Sequence, residues 1–86
     1  MSASPEVAQV VRQWVERAEE DLVNAEHTLT LEENCPVGTV CFHAQQCAEK
    51  YLKALLIIRT EAEEAVAMAR KVREQIRSHL PPEVLP

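Results

Sequence analysis

Eighty-six residues make one domain, residues 1–86, with a core so small that a lone chain is marginal and dimerisation is expected on size alone. The apolar content is chiefly Ala, Val and Leu, with one Gly, one Trp, one Tyr and one Phe, which argues against a hairpin-rich β fold and for an all-α helical bundle. A net charge of -5 disfavours nonspecific nucleic-acid binding by the whole surface.

Ser4-Pro5 opens the first helix: a capping hydroxyl, then a proline where the missing N–H costs nothing. Val7, Val11, Trp14, Ala18, Leu22 and Ala25 recur at helical spacing as its buried stripe, which Leu29 continues, and the helix is expected to end within residues 31–34. Pro36 and Gly38 punctuate a turn over residues 34–38, short enough to make the next helix an antiparallel neighbour.

The second helix is predicted over residues 39–59. Cys41, Ala44, Ala48, Tyr51 or Leu52, Leu55 and Ile58 form its apolar stripe, and His43, Gln46, Lys50 and Lys53 its polar face. Gln45 and Glu49, four residues apart and one step off the stripe, are expected to be partly buried and to need hydrogen-bond partners. A last helix is predicted from Glu61 to His79 or Leu80, with Ala62, Ala65, Val66, Ala69, Val72, Ile76 and Leu80 in its buried stripe and Pro81-Pro82 stopping it.

The junction at residues 58–62 has neither Gly nor Pro. Taken literally, the last two helices fuse into one rod of about 40 residues, ~60 Å long. Globular helices rarely reach that length without caps, so a segment is expected to be missing between Thr60 and Glu61.

Charge is uneven. Glu16, Glu19, Glu20, Asp21, Glu26, Glu32 and Glu33 make the first third acidic, whereas Arg70, Lys71, Arg73 and Arg77 make the end basic. This reads as a solvated surface matched to the helix dipole, which Glu61, Glu63 and Glu64 open and the cations close. Cys35, Cys41 and Cys47 form no Cys-x-x-Cys pair, and positions six apart on a helix lie about 240° apart. They read as reduced, packed thiols. No apolar run approaches the ~20 residues of a membrane span. With no basic-then-apolar leader, a cytoplasmic location is expected.

Two patterns carry a resemblance. Gln45-Gln46-x-Ala48-Glu49-Lys50-x-x-Lys53-Ala54-Leu55 resembles the second-helix signature of the HEPN family (higher eukaryotes and prokaryotes nucleotide-binding domain), prokaryotic type. Trp14, Ala18, Asp21-Leu22 and Ala25 resemble its first-helix pattern, in the expected order. The resemblance covers about half the chain. It implies an up-and-down antiparallel bundle and a homodimer. It also implies, between Thr60 and Glu61, a Thr-His-Asp-Leu-like stretch, another helix and often an Arg-Tyr-Pro segment, none of which occurs here. Such proteins often pair with a minimal nucleotidyltransferase in toxin–antitoxin systems, and some cleave RNA.

Ribonucleases of that family use an Arg-x(4–6)-His motif, with His as general base on a ribose 2′-OH and Arg steadying the phosphorane. Arg73 and His79 are a formal match, but an Arg and a His six apart on one helix point to different faces, and the pair reads as a solvated helix end. His43 and Cys47, at i and i+4, have metal-ligand spacing but no third ligand, and read as structural. His27 reads as an exposed helix residue. No cofactor or metal is expected, and no Gly-rich phosphate loop is present.

Asp21 stands where helix 1 would place an apolar residue. Packed antiparallel, it faces the middle of helix 2, where Lys50 or Lys53 would supply the partner that a buried carboxylate demands. Asp21, Gln45, Glu49, Lys50 and Lys53 are therefore the candidate set, either a network that fixes helix register or the wall of a ligand or dimer cleft. Trp14, Phe42 and Tyr51 read as core or dimer-interface residues. Two functions fit: a HEPN-type protein with a nucleotide-binding or RNA-cleaving role, or a non-catalytic helical interaction module.

Overall fold

The computed structural model describes residues 3–86. Two helices account for nearly all of it: α1, Pro5–Leu29, and α2, Val37–Arg77, with a short 3₁₀ turn at Pro82–Val84. They pack antiparallel, as the short connection requires.

Local chemistry sets the ends. The Ser4 hydroxyl accepts the Val7 N–H at 3.3 Å, and Pro5 sits in the first turn. α1 stops at Leu29 rather than within residues 31–34, because Thr30 folds its hydroxyl back onto the His27 carbonyl at 2.6 Å. Asn34 turns the chain with φ 54°, a left-handed conformation that Asn tolerates better than most residues. Gly38 is not part of the turn. It lies in the first turn of α2 with an ordinary φ and open space where a Cβ would sit.

The two predicted helices after the turn are one. α2 runs unbroken through Thr60 and Glu61 for 41 residues, about 60 Å of helix. Thr60 hydrogen-bonds back to the Leu56 carbonyl at 2.9 Å and Arg59 pairs with Glu63 at 3.7 Å, so no local signal ends the helix. The Ser4 N–H donates to Glu61 Oε1 at 2.9 Å, fixing the start of α1 against the midpoint of α2. Residues 62–77 project beyond α1. Ala65, Ala69, Val72 and Ile76 are exposed there, so the expected third packed helix is instead an overhang.

The seam follows a heptad spacing on both helices. On α1 it passes through Val11, Trp14, Ala18, Asp21, Ala25 and Thr28. On α2 it passes through His43, Cys47, Lys50, Ala54, Ile57 and Glu61. Among the described residues only Ala18, Asp21, Ala25, Cys47 and Ala54 are buried, and no large side chain is fully enclosed. The α1 stripe is as predicted except that Leu29 is exposed, but the α2 stripe is not. Cys41, Ala44, Ala48, Tyr51, Leu52 and Leu55 all face outward. The seam lies one residue, or about 100°, around the helix from the strongest apolar periodicity.

The result is long and thin, 76 × 20 × 14 Å, with a radius of gyration of 21.9 Å against about 12 Å for a compact chain of this length. Its accessible surface is 7,024 Å². A compact monomer of 9.7 kDa would expose about 5,100 Å².

Candidate functional site

The polar residues of the seam converge on Asp21. Small neighbours at Ala18 and Ala25 let α2 approach there, and two α2 side chains seven residues apart bracket the carboxylate. His43 Nδ1 lies 2.8 Å from Oδ1, and Lys50 Nζ donates to Oδ2. The Asp21 side chain is 11% exposed, against 26% for His43 and 23% for Lys50. A carboxylate only accepts, so the ionised Asp21 accepts a hydrogen bond from His43 Nδ1–H and leaves Nε2 as the second ring position. The Lys50 hydrogen bond first, and the His43 hydrogen bond second, hold the Asp21 carboxyl below the usual carboxylate range, against the opposing effect of burial. Phe42 meets the His43 ring edge-on, centroids 5.3 Å apart at 77°.

Of the five residues in the candidate set, the structure brings together Asp21 and Lys50. Gln45 and Glu49 do have partners, but they are each other: Gln45 donates to Glu49 at 3.1 Å, Gln46 adds a second bond at 3.4 Å, and Gln45 and Glu49 are both exposed. Lys53 lies over the Trp14 ring, Nζ 4.4 Å from its centroid, and the Arg17 guanidinium carbon is 5.5 Å from the same ring. Trp14 is thus half-buried under cations rather than set in a core. Phe42 and Tyr51 are exposed, and the Tyr51 hydroxyl donates to Glu19. That bond pushes the phenol pKa up, because ionisation would set a phenolate against a carboxylate.

His43 is the residue that the candidate set left out, although it was placed on the same polar face as Lys50. The missed signal was the 4–3–4 spacing of His43, Cys47, Lys50 and Ala54, the same heptad phase as Asp21 on α1. Arg73 and His79 are both exposed, on the part of the chain that α1 does not reach. Among the described residues no three His, Cys, Asp or Glu side chains gather as a metal would require. None of the described helices is long and apolar enough to cross a membrane.

With that geometry in place, the family model described as HEPN domain matches residues 11–62. The matched stretch holds all three members of the Asp21 cluster and the whole buried seam, and it ends where the overhang begins. No curated protein and no solved structure matches the chain.

Proposed function

The chain belongs to the HEPN domain family, a family of nucleotide-binding and ribonuclease type, and from that membership we propose that it is a cytoplasmic homodimer with a nucleotide- or RNA-directed role. Its partner in this reading is a minimal nucleotidyltransferase, in a toxin–antitoxin-type pair. The observation that carries the proposal is the Asp21 cluster, which lies inside the matched segment and sets a buried carboxylate between the part-exposed side chains of His43 and Lys50.

The reaction this geometry best supports is metal-independent RNA cleavage with His43 as general base. Asp21 holds Nδ1 at 2.8 Å, fixing ring and tautomer, and Nε2 is left to accept a ribose 2′-OH proton. Lys50 satisfies the other carboxylate oxygen, so the acid that orients the base is itself held. Lys53 and Arg17 beside Trp14 supply cations and an aromatic face near the cluster, groups suited to phosphate and base. Gln45 and Glu49, bonded to each other, lie on the exposed side of α2.

The test is cleavage of a defined single-stranded RNA by the purified chain in the presence of EDTA. Cleavage is expected, and His43→Ala should abolish it while the helical circular dichroism is preserved. Expression should also arrest growth, and co-expression of a neighbouring nucleotidyltransferase gene should relieve the arrest. RNA left intact, with no growth effect, would replace this reading with the non-catalytic helical interaction module, which the exposed apolar face of α2 favours.

A further inference from the structure

We propose that Phe42 is a stacking platform for a nucleobase, placed so that the ribose of the stacked nucleotide reaches His43. This deepens the RNA-directed reading above and rests on it.

Phe42 is an aromatic residue where packing asks for none. It is 56% exposed. Its neighbours one turn away on α2 are Gly38, Thr39, Gln45 and Gln46, small or polar in every case. It belongs to neither face that α2 uses or offers for packing. The seam with α1, at His43, is about 100° around the helix, and the outward apolar stripe, at Ala44, is about 160° around it. The chain itself has nothing to cover this ring, and a lone aromatic among polar groups gives a partner protein no continuous apolar patch. A nucleobase needs only one flat face.

The neighbour that Phe42 does have gives the face its use. Its ring meets that of His43, centroids 5.3 Å apart and planes at 77°. The rings stand nearly perpendicular, so a base stacked flat on Phe42 does not lie on the imidazole. The spacing is about that of a base from its own ribose, which brings the 2′-OH to the histidine. Asp21 holds His43 Nδ1 at 2.8 Å, so the imidazole is fixed relative to the platform.

The rim of the platform carries groups for the base edge. Glu49 accepts hydrogen bonds from Gln45 at 3.1 Å and Gln46 at 3.4 Å, holding both carboxamides one turn beyond Phe42. Helical side chains lean toward the N-terminus, which here is toward Phe42. Side-chain amides of this kind hydrogen-bond base edges. Trp14 is less suited to stacking, because it is half-buried and already carries Lys53 and Arg17 over its ring. Those cations suit the phosphates of a strand whose base lies on Phe42.

The experiment uses the full chain. Phe42 is the sole phenylalanine, so growth on 4-fluorophenylalanine labels this ring alone. The probe is a 2′-O-methyl tetra-adenylate, which has the bases but no 2′-OH to attack. The fluorine resonance is expected to move to saturation on titration. Phe42→Leu, apolar but without a ring, should bind the probe about 5- to 150-fold more weakly, with its helical circular dichroism unchanged. Phe42→Trp should bind at least as tightly as the parent, and Leu31→Ala, on the connection, should bind as the parent does. In cleavage of ordinary RNA, Phe42→Leu should raise KM by the same factor at constant kcat, because the base is stacked before and during the reaction. Adenosine 5′-monophosphate separates the two sources of a base. A resonance that moves equally well with it makes the ligand a free nucleotide, and one that needs the tetra-adenylate makes it a strand; both uphold the platform. A moving resonance with RNA left intact would also uphold the platform, while removing the ribonuclease reading. Cleavage with an unmoved resonance, or with parental KM in Phe42→Leu, would overturn the platform and leave the ribonuclease reading standing. Neither binding nor cleavage would overturn both.

Discussion

Ala54→Leu tests which face of α2 meets α1. Ala54 is 5% exposed. The tie of Ser4 to Glu61 and the placement of Lys53 over Trp14 set it across from residues 11–14 of α1. Leucine adds three carbons where the helices are spaced for a methyl group. Overpacking of this kind costs about 1–3 kcal/mol. At about 0.05–0.15 kcal/mol per residue the whole chain has about 4–13 kcal/mol to lose, so the substitution removes a large share. For a domain of this size each kcal/mol moves Tm by about 4–8 °C. Melting followed by circular dichroism at 222 nm should therefore fall by about 4–24 °C. Ala67→Leu is the control, a like change on the exposed overhang, and should stay within about 0.5 kcal/mol of the parent. The seam assignment fails if the two variants melt together, or if Ala54→Leu melts above the parent.

Four further outcomes follow from particular residues. Gly38→Ala should stabilise by about 0.4–1 kcal/mol in urea titrations, since the site is helical and sterically open; a loss of stability would mean that Gly38 adopts some other backbone conformation. The Asp21 carboxyl titrates lower folded than unfolded, so its contribution is complete above the unfolded value near 3.8 and fades as pH drops through the lower folded value. Asp21→Asn should flatten that acid limb of the stability profile, and a parallel profile in the variant would remove Asp21 as its source. Tyr51 is the sole tyrosine, so ultraviolet titration should place its midpoint above 10, returning toward 10 in Glu19→Gln. If the ribonuclease reading holds, the double change Arg73→Ala with His79→Ala should leave cleavage rates unchanged, and loss of cleavage with the fold intact would move the active site to the overhang.

The start of the first helix was legible to the residue because cap, proline and apolar spacing agree there, whereas its end came earlier than expected, at Leu29. Asp21 stood out as a charge in an apolar phase, and Lys50 or Lys53 followed as its partner, of which Lys50 is the one that reaches it. The second helix misled for a physical reason. It carries two heptad-spaced faces, and hydrophobic periodicity reports the greasier one, which turns outward. The face that meets α1 is built from Ala54, Cys47, His43 and Lys50. It is selected by small size and by charges that Asp21 can neutralise, which a count of apolar residues does not see. The expectation of a missing segment after Thr60 rested on helix-length statistics and on the family resemblance; within the given sequence nothing across Thr60 and Glu61 stops a helix, and α2 continues through them.

That unbroken passage through Thr60 has a thermodynamic consequence for the overhang. Starting a helix costs far more than lengthening one; a nucleation constant near 10⁻³ corresponds to about 4 kcal/mol. The clamped half of α2 meets that cost through its packing on α1, so residues 62–77 need only propagate. Their Ala, Glu, Lys and Arg content makes each step close to neutral or favourable. Severed at Thr60, the same sixteen residues would have to nucleate alone, at a length where isolated helices are marginal in water. The overhang is thus helical by templating, with a population set by the hairpin's stability as well as its own composition.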